Sequence, residues 1–253
     1  MSATPDGVLA VDKPSGWTSF DVVAVARRAL AVRRVGHGGT LDPLATGLLP
    51  ILVGRATKFA DTLHTAPKVY AAVVAFGSET ATDDREGAVT RTAAVPADSE
   101  AALDAALDAF RGAISQVPPA FAAVRVAGRH AYDRARAGET VALAPRTVTI
   151  ERLAIAGWEP PHLRLLVVCS TGTYIRSLAR DLGRARGSAA HLAGLRRLAV
   201  GGLDVGDAVT VEAVRGGAGA AAIRPADDRI LALAERYRTA PPAELLADWG
   251  RSL

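Results

Sequence analysis

Cys169 is the only cysteine in 253 residues, so no disulfide can close within the chain. It stands in the apolar run LRLLVVCS, where a buried and inert thiol is expected. Lysine is scarce too: it occurs at 13, 58 and 68, and every other basic residue is arginine. Aromatics make up only 5%, and the 49% hydrophobic content leans on alanine, which predicts a folded chain with a rather thin aliphatic core. No apolar run approaches the roughly 20 residues that span a bilayer. The opening MSATPDGVLAVDKP lacks the basic-then-apolar form of a secretory signal. A cytoplasmic protein without membrane contact is the expectation.

Several chemistries are missing as well. There is no G-x-S-x-G, no phosphate-binding loop and no dinucleotide fingerprint. The histidines at 37, 64, 130, 162 and 191 include no His-x-x-x-His pair, so no metal and no cofactor are expected. What the chain does carry is a mild basic excess, net charge +4 and pI about 9.6. Arg176, Arg180 and Arg184 recur every four residues, and Arg196 and Arg197 follow. This placement is compatible with a nucleic-acid partner.

Along the chain, GVLAVDKPSG reads as a strand and turn, and 18–32 as a helix capped by Thr18 with Asp21 three residues on. LLPILVG and KVYAAVVAFG read as strands and RATKFADTLHTA as a short helix. SETATDDREG reads as a solvated acidic turn, its spacing not that of a calcium loop. SEAALDAALDAFRG is helical, and 112–140 is an excursion containing a short strand and a basic helical piece. RTVTIERLAIAGW and HLRLLVVCSTG are strands that pair. TYIRSLARDLGRARG is a helix with Ile175, Leu178, Ala179 and Leu182 inward, and AHLAGLRRLAVGGLDV returns to the sheet. The elements alternate without a repeating βαβ unit, which predicts an α/β (α+β) fold with a mixed sheet. From 216 a Gly/Ala linker leads to a predicted helix DDRILALAERY and a short tail.

The most unusual stretch is GHGGTLDPLATG, 36–47, with one acid, Asp42, among glycines and apolar residues and no Lys or Arg within several positions. Taken alone it fits an anion-binding turn, a helix cap, an Asp-Pro turn, or a carboxylate held for chemistry. Four pieces decide between these: DKPSGWTS (12–19), GHGGTLDPLATGLLPILVGRATKF (36–59), KVYAAVVAFG (68–77) and CSTGTYIRSLARDLG (169–183). In this order and spacing they closely resemble the TruB family of tRNA pseudouridine-55 synthases, from about Gly7 to Val209.

That resemblance implies a pseudouridine-synthase fold, mainly antiparallel and flanked by helices, with 1–209 catalytic and about 112–140 a protruding RNA-contacting insertion. It implies isomerisation of uridine 55 in the T-loop of tRNA, without metal or cofactor. Asp42 matches the family's catalytic aspartate. A carboxylate can attack C1′ or C6, or promote departure of the base, and the sequence does not choose among these routes. Arg176 matches the arginine that pairs with the aspartate and opposes the proton uptake that burial would favour. A uridine inside a folded loop has to be turned out of its stack. Tyr70 matches the tyrosine that stacks on the base, Tyr174 and Leu195 match pocket positions, and His37 matches the histidine inserted where the base was. Lys13 lies in a K-P-x-G element read as support, and Arg180, Arg184, Arg196 and Arg197 are read as support or phosphate contacts.

Two departures stand out. Phe121 in PPAFAAV occupies a place where many relatives have tyrosine, and 210–253 looks too short for a PUA-type RNA-binding domain. The expected partner is the T-arm of tRNA, bound by a monomer without guide RNA. Rivals are a tRNA-binding or folding protein, a guide-RNA-dependent synthase and, more distantly, a metal-dependent nuclease.

Overall fold

Helix α1 (Ser19–Ala29) begins at a reciprocal cap: Thr18 Oγ1 accepts from the Asp21 backbone N–H at 3.2 Å, and the Asp21 carboxylate accepts from the Thr18 N–H at 2.8 Å. Two N–H groups with no partner in the helix are satisfied by this exchange. Val22, Val23 and Ala26 form its buried stripe.

The computed structural model describes residues 5–122, 125–126, 129–130, 134, 139, 143–247 and 249. The chain divides into two units, one of Met1–Ala71 with Leu195–Ala240 and one of Ala72–Gly194 with Pro241–Leu253. Both are mixed α/β with mainly antiparallel pairing.

In the first unit, β1 (Gly7–Lys13) pairs antiparallel with β3 (Thr46–Val53) over seven residues, from Gly7↔Val53 to Lys13↔Gly47. The short β2 (Val35–His37) lies antiparallel on β3, setting His37 opposite Ile51. After β3 the chain forms a 3-10 turn, Gly54–Phe59, and then α2 (Ala60–Thr65), not the single helix expected. β4 (Lys68–Phe76) and β12 (Ala190–Val200) each contribute residues to both units. The end of β12 runs parallel to β3, with Arg197 opposite Gly47. Val8, Leu48, Leu52, Leu63, Val200, Leu203 and Ile230 make one buried cluster.

In the second unit the hairpin of β5 (Ser78–Thr80) and β6 (Val89–Thr92) precedes α3 (Glu100–Leu107) and β7 (Gly112–Gln116). β10 (Arg146–Glu159) pairs antiparallel with β7 and with β11 (His162–Cys169), as expected for the latter pair. The next helix, α4 (Ile175–Ala185), buries Ile175, Leu178, Ala179 and Leu182. Cys169 is buried. Within the expected excursion 112–140, the described parts beyond β7 include a short antiparallel pair, β8 (Arg125–Val126) with β9 (Arg129–His130). Most of its expected basic helical piece lies outside the described residues.

The expected helix DDRILALAERY is corrected. Residues Asp228–Leu231 form a 3-10 turn, and only Arg236–Thr239 is α-helical. The Ile230 carbonyl accepts from Gly202 N at 2.8 Å, so it is not spent on a helical bond. Gly201 packs so closely there that a Cβ would meet that carbonyl at 2.2 Å. Ile230, Leu233 and Tyr237 are buried, so the segment still packs an apolar side inward although its backbone is not one helix.

Candidate active site

Asp42 sits at the first position of a four-residue turn: its carbonyl accepts from Ala45 N at 3.1 Å, with Pro43 next in the turn. Aspartate and then proline are the residues such a turn favours. The turn is clamped on each side of the carboxylate by the segment after β1. Ser19 Oγ accepts from Leu41 N at 2.9 Å and donates to Leu41 O at 3.3 Å. Gly16 N donates to Pro43 O at 2.8 Å, and Ser15 Oγ to Leu44 O at 3.3 Å. Lys13, 0% exposed, donates from Nζ to Pro14 O, Trp17 O and Pro43 O at 3.0, 2.7 and 3.2 Å. The half-buried Asp42 is therefore carried by a loop with little freedom to swing.

The other arm of the loop is held by Arg197, which is 1% exposed. Its Nε donates to Leu48 O at 2.7 Å, and its two terminal nitrogens to Thr40 O at 3.2 Å and Gly39 O at 3.0 Å. The Tyr70 hydroxyl acts on the guanidinium electrostatically. Burial pushes the Arg197 pKa down, and the Tyr70 oxygen opposes this. No carboxylate pairs with Arg197 among the described residues. Its donors are spent on the loop, so of the two roles read for Arg197, support or phosphate contact, the phosphate contact is corrected.

His37, at the end of β2, accepts on Nδ1 from Gly39 N at 3.4 Å, and the Phe20 ring meets it edge-on at 5.5 Å. Burial lowers its pKa first, and the Arg197 charge and His64 lower it further. The ring is thus neutral at pH 7 and suits base edges better than phosphates. Leu195 is buried, and its carbonyl accepts from Thr46 Oγ1 at 3.5 Å. Arg196 holds Asp12 bidentately at 2.6 and 2.9 Å.

The remaining residues belong to the second unit. Tyr174, just before α4, is fixed by buried Gln116: the amide accepts from Tyr174 N at 2.8 Å and donates to Tyr174 O at 3.1 Å. The Arg146 guanidinium lies over the Tyr174 ring at 5.1 Å. Arg176 is buried and donates to Thr82 O at 3.1 Å and Phe121 O at 3.2 Å, with Asp84 Oδ2 at 3.8 Å.

Asp84 belongs to the stretch expected to be a solvated turn, and that expectation is corrected: Glu79, Asp83 and Asp84 are all buried. Arg180 donates to Asp83 at 2.7 Å and to Val117 O at 3.0 Å, so it is committed inside the protein and not open to phosphate. Burial raises the Asp83 pKa, against the pull of Arg180. Arg184, whose side chain is 56% exposed, holds Glu79 bidentately at 2.7 and 3.0 Å. Together with Arg91 it lowers the Glu79 pKa to about 2. Sequence reasoning missed Asp84 and Ser19. The four-residue period of Arg176, Arg180 and Arg184 was the available sign that acids would be needed on that helix face. Among the described residues no cluster of three or more metal-ligating side chains occurs, and no helix is long and apolar enough to cross a membrane.

The chain is similar to a chain of a Cbf5-Nop10-Gar1 complex, at 28% identity and TM-score 0.67, over 88% of this chain and 60% of that one. It is also similar to a chain of the archaeal box H/ACA sRNP Nop10-Cbf5 complex, at 28% and 0.62, over 84% and 54%. This scaffold, with one carboxylate on a clamped loop, is of the pseudouridine-synthase class, the class of the family model that it matches. The chain belongs to the TruB family of pseudouridylate synthases: the family's N-terminal domain model matches residues 27–175, and the tRNA pseudouridylate synthase B C-terminal domain model matches 176–230. Curated relatives called tRNA pseudouridine synthase B are 48% identical in Thermobifida fusca, over 82% of this chain and 73% of the relative. Those of Gloeobacter violaceus and Burkholderia lata are also 48% identical, over 84% and 83% of this chain and 74% and 65% of the relatives.

Proposed function

We propose that this protein converts uridine to pseudouridine in tRNA, at position 55 of the T-loop, with Asp42 as the reacting carboxylate. In this reaction the bond from C1′ to N1 breaks and one from C1′ to C5 forms, while C5 loses a proton and N1 gains one. Nothing is oxidised and no group donor is consumed. The observation that carries the reading is the Asp42 turn, gripped at residues 41, 43 and 44 by 13–19 and at 39, 40 and 48 by Arg197. Such prior fixing of a reacting group removes orientational freedom that would otherwise oppose the reaction.

Family membership supports the remaining roles. Arg176 is the ionic partner of Asp42, Tyr70 stacks on the everted uracil, and Tyr174 and Leu195 line its seat. His37 enters the place the base has left. The partner is the T-arm of tRNA, bound by a monomer in the cytoplasm. An unmodified tRNA transcript, incubated with purified protein and no added metal, gains pseudouridine at 55 and nowhere else. Asp42→Asn abolishes the product and leaves tRNA binding within a few-fold. A wild-type protein that binds tRNA and modifies nothing points instead to a tRNA-binding or folding protein. The likeness to a chain of an archaeal box H/ACA sRNP complex favours one further reading, that a guide RNA is needed. Activity on naked tRNA excludes it.

A further inference from the structure

Phe20 is the most exposed large hydrophobic residue among those described, at 74%. It stands in the first turn of α1, and its ring edge meets His37, the residue placed against the vacated base position. An isolated exposed phenylalanine would need no explanation. This one is not isolated, because Phe20, Ala24 and Arg28 are spaced four apart and share one exposed face of α1 for about 12 Å.

Farther along that face, Ala24, Val25, Arg28 and Ala29 line a cavity of about 210 Å³ together with Arg215, from α5 (Val211–Arg215). Arg215 also lies over the Trp17 ring at 5.7 Å. Neither Arg28 nor Arg215 has an acidic partner among the described residues. The one carboxylate at the start of the face, Asp21, is taken up by hydrogen bonds from Thr18 N and Oγ1 at 2.8 and 2.6 Å. The face thus offers an aromatic ring, a small apolar hollow and two uncompensated guanidinium groups in a row that starts at the site. A nucleotide strand has the matching sequence of features: a base face to stack, a sugar to seat and phosphates to pair.

We infer that this face of α1 is a further RNA-contact stripe, in which Phe20 stacks on a nucleotide neighbouring the everted uridine while Arg28 and Arg215 hold the phosphates that follow. The inference rests on the function proposed above and deepens it. Stacking of a base on a protein ring makes Phe20→Ala raise the KM for tRNA about tenfold, with the smaller part of the effect in kcat. Phe20→Tyr keeps the ring and restores KM. Thermal midpoints stay at the wild-type value, because the ring is largely in solvent. Arg28→Ala and Arg215→Ala each reduce the slope of log affinity against log salt by about one.

The inference is overturned if, with an active wild type, Phe20→Ala keeps the wild-type KM and the arginine variants keep the salt slope. It is also overturned if Phe20→Ala changes the sedimentation of the protein while tRNA affinity stays the same, which marks a protein interface. Affinity for unmodified tRNA, read by fluorescence anisotropy, tests the stripe separately from the chemistry. A protein that forms no pseudouridine but loses affinity on Phe20→Ala keeps the stripe and removes the proposed reaction.

Discussion

Ser19 shows how much a small side chain contributes when it is 2% exposed and bonded to both backbone groups of Leu41. Ser19→Ala leaves two buried polar groups without their partner, each costing about 1–3 kcal/mol. Since those groups adjoin Asp42, the expected outcome is a kcat reduced at least tenfold with a smaller change in KM, together with a lower unfolding temperature. Steady-state kinetics and calorimetry check both. His37 makes a prediction about pH. Its folded pKa lies below the ordinary 6.5, so the neutral ring contributes stability that is present above about pH 6.5 and is lost as pH falls through the folded value. A proton-coupled NMR titration of His37 should show a midpoint below that of free histidine, with KM flat between pH 7 and 8. Arg197 is the residue that sequence reasoning placed least well. In a string it looks like the neighbour of Arg196, yet one is fully buried against carbonyls and the other holds Asp12.

At the scale of elements, the β5–β6 hairpin and α4 are joined by Glu79, which Arg91 and Arg184 grip together. The Glu79 folded pKa, about 2, lies below its ordinary value, so the stability it contributes is present above about pH 4.5. That stability is lost as pH falls through 2. Glu79→Gln should lower stability at pH 7 and flatten the acid side of the stability profile, as read by urea unfolding at stepped pH. Gly47 sets the contact of β3 with β12. Its φ is +98°, and a Cβ would meet Arg197 O at 2.3 Å, so Gly47→Ala is expected to destabilise by more than about 2 kcal/mol, measurable by thermal unfolding. The cap of α1 was legible because Thr18 and Asp21 are three residues apart and act locally. The break between 231 and 236 was not, because it depends on Gly202 claiming the Ile230 carbonyl from elsewhere in the chain.

For the whole molecule, the charge of +4 understates how unevenly the arginines are used. Arg176, Arg180 and Arg197 are buried and internally bonded, whereas Arg28 and Arg215 face solvent. Affinity for tRNA should fall with salt along a straight log–log line whose slope reports only the exposed group. Arg180→Gln should leave that slope unchanged while lowering stability, because it strands Asp83 in a buried place. Filter binding over a salt series, beside thermal unfolding, separates the two effects.

The order and spacing of the motifs determined the family and the main strands and singled out Asp42 as the candidate carboxylate, since those signals lie within short stretches. Tertiary structure alone decided which arginines are buried, that the acidic turn is an internal counter-charge, and that Lys13, Ser19 and Arg197 clamp the Asp42 loop. Burial and long-range hydrogen bonds arise from residues far apart in the chain, and neither composition nor periodicity records which of them meet.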